Sequence, residues 1–446
     1  MTQEQKAAGT PDPDFGTNSV VRLPFDNIVG SIPQAVLPQP DNKLLVAIAT
    51  TPLQNAPAKI ARLNGNGSLD LTFATRGIAE IPFEEGTLFK PRHLHPLPNE
   101  GWLITGTAES EAKPGADLAV VRQLADGRLD PNFGDAGRVI LNIYELVGAS
   151  LLTHRHDHDK KCGDSLAQSA GDIGAISFSQ QDGMIFLTAT VIYDYNDLQG
   201  IVICLNADGS LNLDFNHKGV VLVELPGIKR VWNEASGVAV QPDGKVLVCG
   251  NFVRTHDDIL PDAFVTRYHP NGNIDSAYGD QNNGTVIIAD AQKNLELVSM
   301  TIKPDSGIIA TGSASIGLEP IGLIVSLNPN GSFNLVFNQG KPLFSDFLAK
   351  GVSWRRSFLQ GDGKIIVMGQ GGSSLLDENS SMVTARYLAH GPLDTAFNGG
   401  WVEFNDKNEF DVFRGGALMS QNRVVVCGYA FDSFNPIRGS VVRYLR

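Results

Sequence analysis

Val240–Gly250 reads VQPDGKVLVCG, and Phe264–Gly279 reads FVTRYHPNGNIDSAYG. An apolar run turns at Asp243-Gly244 and returns as a second apolar run. A third run then meets a corner that closes on an Asp and an aromatic. The same grammar recurs along the whole chain. The first corner appears at Asp41-Asn42, Glu100-Gly101, Asp182-Gly183, Asp243-Gly244, Asp305-Ser306, Asp362-Gly363 and Gln421-Asn422. Asp-Gly and Asn pairs suit the left-handed backbone of two-residue hairpins. β-Rich runs follow them: KLLVAIA, WLITG, MIFLTAT, KVLVCG, GIIATG, KIIVMG and RVVVCG. The second corner carries Phe15, Phe73, Phe133, Phe215, Tyr278, Phe337 or Phe397, at intervals of 58, 60, 82, 63, 59 and 60 residues.

A period near 60 residues with four short strands per unit predicts a closed ring of small sheets, a seven-bladed β-propeller. The seventh interval is split between the chain ends. SVVRYLR ends the chain on a third strand, and PDPDFGTNSVVRL opens it on a corner and a fourth strand. Ser19–Leu23 is therefore expected to complete the last blade, leaving no open sheet edge. The expected organisation is a flexible tail over 1–10 and one propeller domain over 11–446, with a histidine-rich insertion at about 142–172.

The corner motifs, QPDGK at Gln241–Lys245 and LNADGSLNLDF at Leu205–Phe215, resemble those of the bacterial delta-60 repeat family of propellers. The resemblance runs over nearly the whole chain after residue 10. Gln421-Asn422 and Asn99-Glu100-Gly101 depart from the Asp-Gly form. It implies a fold and no common activity.

The 446 residues carry a net charge of −13 and a pI near 5.1, which argues against a phosphate-backbone binder and hence against nucleic acid as partner. MTQEQKAAGTPDPDFG has no basic stretch followed by an apolar core, and no run of 18 apolar residues occurs, so neither a classical signal peptide nor a membrane span is expected. The expected location is cytoplasmic, or outside the cell by a leaderless route, and the expected state is a monomer. Cys204, Cys249 and Cys427 lie in apolar strands and read as small core residues, whereas Cys162 sits in a polar loop.

Most of the remaining acids fall to the repeat. Asn206-Ala-Asp208-Gly209 looks like a calcium loop but lacks its further ligands, so Asx turns explain it. Asp70, Asp130, Asp275 and Asp394 read as turn caps because Asn212 and Asn334 replace them.

Function is expected where the repeat breaks. His154, His156 and His158 alternate in THRHDHDKKCGD; with Asp157, Asp159 or Cys162 they would suit a divalent transition metal, but no established ligand spacing is matched and a solvated loop is the better reading. Counting back eight residues from each corner glycine gives a second set where inner strands enter the ring. It comprises Gln34, His93, Ala175, Ser236, Val298, Arg355 and Arg414, with Arg356, Trp232 and Trp354 nearby. Arginine forks suit carboxylate or phosphate, and aromatic faces suit sugars. His93, Trp232, Trp354, Arg355 and Arg414 are thus the candidate ligand-binding residues. The acidic rim on the loops after the second and fourth strands comprises Glu109, Glu111, Asp194, Asp197, Asp257, Asp258, Asp262, Asp377 and Glu378. No esterase elbow, zinc-protease or phosphate-loop motif occurs, so no catalytic residue is assigned. The leading expectation is a binding scaffold for a protein or a small polar or carbohydrate ligand. An enzyme at the central mouth, such as a metal-assisted hydrolase or lyase, and a structural module of a larger secreted or toxin-like assembly are the alternatives.

Overall fold

The computed structural model describes residues 7–446 except 52–53, 55, 99–100, 111–112, 149–175, 179–182, 195–196, 256–259, 373–379, 407–408, 421–422 and 433–434. Seven four-stranded antiparallel sheets follow one another along the chain as the blades of a propeller. Their first strands are Ile32–Pro38, Thr87–Pro96, Ile176–Phe178, Trp232–Val240, Asn294–Ile302, Val352–Leu359 and Phe410–Met419, which define blades 1 to 7. Each first strand touches the first strands of both neighbouring blades, so the seven form a closed ring around a central axis. Among the described residues no helix is long and apolar enough to cross a membrane.

The ring closes as the split repeat requires. Val20–Leu23 is the fourth strand of blade 7, with Val20 opposite Val442 and Leu23 opposite Gly439. The corner before it belongs to the same blade: Gly9 N–H donates to Leu445 O at 2.7 Å and Asp12 N–H to Arg443 O at 2.9 Å.

One apolar cluster fills each of the seven seams between consecutive blades. The repeated aromatics are the pegs of these seams, and all seven are essentially inaccessible. A second component is absent from the sequence reading. In five blades an arginine of the third strand lies over the aromatic and pairs with the corner Asp. These sets are Arg62–Asp70–Phe73, Arg122–Asp130–Phe133, Arg267–Asp275–Tyr278, Arg386–Asp394–Phe397 and Arg443–Asp12–Phe15. Arg267 also donates from Nη1 to Pro329 O of the next blade, at 2.5 Å. The clamp thus joins a corner, a seam and a neighbouring blade. Blade 7 builds its clamp from the two ends of the chain, with Arg423 adding a second bond to Asp12 at 2.6 Å.

Blades 3 and 5 lack the clamp as a unit. Asn212 and Asn334 stand for the Asp, and Cys204 and Ser326 stand for the Arg. A buried carboxylate without its guanidinium would cost several kcal/mol, about 3–5 when one partner of such a pair is removed. Both charges therefore go together. The turn-cap role persists throughout: Oδ1 of the residue accepts the N–H two residues on, from Thr72 at Asp70 (3.1 Å) to Val336 at Asn334 (2.9 Å).

The first corners differ from the expected two-residue hairpins. Gln241 N–H donates to Lys245 O at 2.8 Å and Gly244 N–H to Gln241 O at 2.9 Å, with φ of 81° at Gly244. This is a three-residue loop ending in a left-handed residue, the common companion of a glycine bulge. Blade 1 alone among the described first corners has consecutive left-handed residues there, Asp41 and Asn42.

Candidate functional site

Both tight corners of a blade lie at one end of its strands, and the connections after the second and fourth strands lie at the other. At the corner end the recurring acids are occupied. Asp208 accepts from Ser210 N–H at 2.9 Å, Asp126 from Arg128 N–H at 3.0 Å and Asp305 from Gly307 N–H at 2.9 Å, so these acids hold their own turns. Among the described residues no group of three or more His, Cys, Asp or Glu is placed to hold a metal ion. Leu71, Leu213 and Leu335 are exposed at one repeat position on these corners. A groove of about 1370 Å³ beside Leu71 and Arg76, and one of about 400 Å³ beside Asn216 and Tyr268, lie along outer strands.

At the opposite end the inner strands carry the irregularity. Six of the seven slip register by a residue near the middle of the strand, whereas Ile176–Phe178 of blade 3 pairs without a slip. The extra residue is Gln34, Arg92, Ser236, Val298, Arg355 or Arg414. The bulge drives the inner strand's carbonyl onto its partner strand. A Cβ at Gly250 would stand 1.8 Å from Glu234 O, and one at Gly369 would stand 1.9 Å from Ser353 O. This explains the glycine that ends the runs WLITG, KVLVCG, GIIATG, KIIVMG and RVVVCG: only a residue without a side chain fits there.

The bulge corrects one candidate. Blade 2 places Arg92, not His93, at the extra position. Leu97 N–H donates to Gly101 O just as Gln241 does to Lys245, so Gly101 occupies the lysine's place in the corner and not the glycine's. Counting from it slips the strand by one residue, which turns a side chain over. The axial set therefore gains a third arginine beside Arg355 and Arg414.

The other candidates divide. Trp354 is fully buried in the seam of blades 5 and 6, where Nε1 donates to Ser345 Oγ at 3.0 Å. It is a core residue and does not line the mouth. Trp232 is half-buried at the start of the blade 4 inner strand, on the long-connection face. Arg355 is exposed and lies 3.7 Å from Glu296. Arg414 is half-buried, donates from Nη2 to Tyr429 Oη at 2.8 Å, and leaves its Nε buried with no acceptor. Arg356, next to the bulge, donates from Nη1 to Arg355 O at 2.9 Å. No carboxylate among the described residues pairs with it. Burial and the neighbouring Arg355 lower its pKa to about 10.

His93 occupies the same tier as Arg356. Thr105 Oγ1 lies 3.4 Å from its Nδ1. Burial, then Arg356 and Arg92, hold its imidazole well below the usual histidine range. Ala175, His154, His156, His158 and Cys162 lie outside the described residues. Cys204 and Cys427 are buried free thiols pushed up to about 12 by burial.

The acidic rim is partly answered by cations. Glu109 pairs with Lys90 at 2.6 Å and Asp262 with Arg254 at 2.7 Å. Glu111, Asp257, Asp258, Asp377 and Glu378 lie outside the described residues, and the side chain of Asp194 is not described. Three of the supposed long loops are instead extended hairpin arms: Trp102–Ser110 with Lys113–Gln123, Ile185–Asp194 with Asp197–Leu205, and Arg423–Asp432 with Asn435–Leu445.

Comparison with known proteins returns the fold and little else. Residues 39–73, 241–278 and 360–397 match the family model of a domain of unknown function, the DUF5122 β-propeller. The match supports a β-propeller repeat family over those three stretches. No curated protein matches the chain. Among solved structures, a streptogramin B lyase is similar at 10% identity, over 95% of this chain and 96% of that one, with a TM-score of 0.45. The polysaccharide lyase Uly1 is similar at 9% identity, over 95% and 91%, with a TM-score of 0.48. The Hadza microbial sialidase Hz136 is similar at 9% identity, over 91% and 73%, with a TM-score of 0.47.

Proposed function

We propose that the chain is a binding scaffold that recognises a protein or a small polar or carbohydrate ligand at the long-connection face and the central mouth. One observation supports this most: the chemistry of the two ends differs in kind. The corner end repeats, and its recurring acids are spent on turns and clamps. The other end varies: in six blades the bulge residue is Gln34, Arg92, Ser236, Val298, Arg355 or Arg414, four residue types on the rigid ring where recognition usually resides. Screening the whole chain against glycan and peptide arrays, followed by hydrogen-exchange footprinting of any hit, tests the reading. Protection is expected over Trp232–Ala235 and Val352–Arg356. A footprint confined to the Asp243 and Asp362 corners would overturn it.

An enzymatic role at the same mouth is the second reading, favoured by His93, a neutral base among arginines. Turnover of an array hit that vanishes in His93→Ala, with binding retained, would displace the scaffold reading. The histidine-rich segment is proposed as a divalent-metal site only if His154, His156 and His158 bind zinc stoichiometrically and lose it on triple replacement by alanine.

A further inference from the structure

Buried arginines in this protein are normally supplied with a carboxylate. Arg267, Arg386 and Arg443 are almost inaccessible, and each bonds an equally buried Asp at 2.8–2.9 Å. The channel breaks this pattern. Arg356 has no carboxylate partner among the described residues, and Arg414 has a tyrosine hydroxyl and ring beside it and an unanswered Nε. Arg355 differs from both, since Glu296 faces it.

These two guanidiniums stand on adjacent inner strands, Val352–Leu359 and Phe410–Met419, which touch each other in the ring. Both act electrostatically on the buried Cys427 thiol of blade 7. Arg356 belongs to blade 6, yet its charge also acts on His93 of blade 2, three blades round the ring. The tier holding Arg356 and His93 is otherwise small in the intervening blades: Gly415 in blade 7 and Ala35 in blade 1. Arg356 and Arg414 are both half-buried, and a guanidinium partly withdrawn from water favours an anion as counter-charge. The chain has 48 acids against 35 lysines and arginines, so a shortage of carboxylates does not explain the gap.

We propose that the central channel holds an oxyanion, a carboxylate or a sulfate group of the ligand, between Arg356 and Arg414. The inference rests on the reading that the mouth is the recognition site, and it narrows the ligand to one bearing such a group. Guanidinium forks bind both chemistries through paired N–H donors, and His93 adds a further donor from across the channel. Arg355, already opposed by Glu296, orients the approach and contributes less.

The test is calorimetric titration of the intact chain, at low ionic strength, with sodium sulfate in one arm and sodium glucuronate in the other. Saturable one-to-one binding is expected in at least one arm, and the arm that binds names the group. Arg356→Gln and Arg414→Gln should each weaken it by about tenfold or more, Arg355→Gln by less than about threefold, and the corner variant Arg128→Gln not at all. Because Arg356→Gln removes a half-buried charge that has no carboxylate partner among the described residues, its ligand-free melting temperature should hold or rise, which separates lost binding from lost folding. No saturable binding in either arm, or binding unchanged in both channel variants, overturns the proposal. An array ligand whose capture survives Arg356→Gln would sink the channel site while leaving the recognition face intact. Sulfate binding with every array hit footprinting on the corners would sink the wider reading instead.

Discussion

Arg386 and Arg356 belong to the same blade and are treated in opposite ways. Arg386 bonds Asp394 at 2.8 Å and lies over Phe397, and Lys364 lies 3.3 Å from the same carboxylate. Among the described residues Arg356 has a neighbouring carbonyl and no carboxylate. The first arrangement recurs in five blades and costs little because every charge is answered. The second occurs towards the axis, at Arg356 and in part at Arg414, and is unanswered by carboxylates of the described residues. The contrast teaches how to read a repeat protein: recurrence with full satisfaction marks architecture, and an isolated unsatisfied group marks a place for something else.

The comparison breaks first at the ring closure. Deleting residues 7–23 removes the fourth strand of blade 7, Phe15 and the Asp12 end of its clamp together. Scanning calorimetry should show a melting temperature lower by more than about 10 °C, with association visible by light scattering. An unchanged, monomeric transition would mean that closure contributes nothing. Next in size is the clamp. Asp394→Ala leaves Arg386 buried and unpaired and should cost about 3–5 kcal/mol in urea unfolding. Asp12, Asp275 and Asp394 are all held below the usual carboxylate range. Burial opposes this, but hydrogen bonds and the adjacent arginines outweigh it. Their contribution is present above the unfolded value near 3.8 and is lost as pH falls through the folded ones.

Asp411 has the opposite sign. Burial, helped by Asp406 and Glu409, lifts it to about 7, against the Asp406 N–H that bonds its Oδ2 and the charge of Arg22. The native state therefore prefers the protonated acid. The preference stabilises fully below the unfolded value and is lost as pH rises through about 7. Asp411→Asn should raise stability at pH 8 by on the order of 1–3 kcal/mol and leave pH 4 nearly unchanged. Equal effects at both pH values would refute the assignment. The smallest effect should come from rebuilding a clamp. Asn334→Asp alone costs about 1–2 kcal/mol, and adding Ser326→Arg should recover most of it in a double-mutant cycle. Strict additivity would show that the clamp is not a unit.

Blade number, strand order and the split closure were legible because period and alternation are global signals, robust to an error of one residue. The clamp was legible too, though unread. Arg62–Asp70, Arg122–Asp130, Arg267–Asp275 and Arg386–Asp394 share one spacing, and Cys204–Asn212 and Ser326–Asn334 change both members together. The axial set was harder, because it depends on phase. Gly101 looks like the Gly244 of its corner but occupies the place of Lys245, and that slip exchanged Arg92 for His93. The burial of Trp354 follows from its place on the seam side of its strand, which needs the bulge position to be known. The recurring glycine opposite the bulge was the signal that would have supplied it.

The most direct test sets Arg356→Gln against Arg386→Gln in one calorimetric series, first without added anion and then with sulfate. Without anion, melting should rise or hold for Arg356→Gln and fall steeply for Arg386→Gln. With sulfate, the Arg386 variant should gain as many degrees as the wild type, and the Arg356 variant should gain few or none. Equal destabilisation by the two substitutions, with an equal response to sulfate, would contradict the division between a satisfied scaffold and an open axial site.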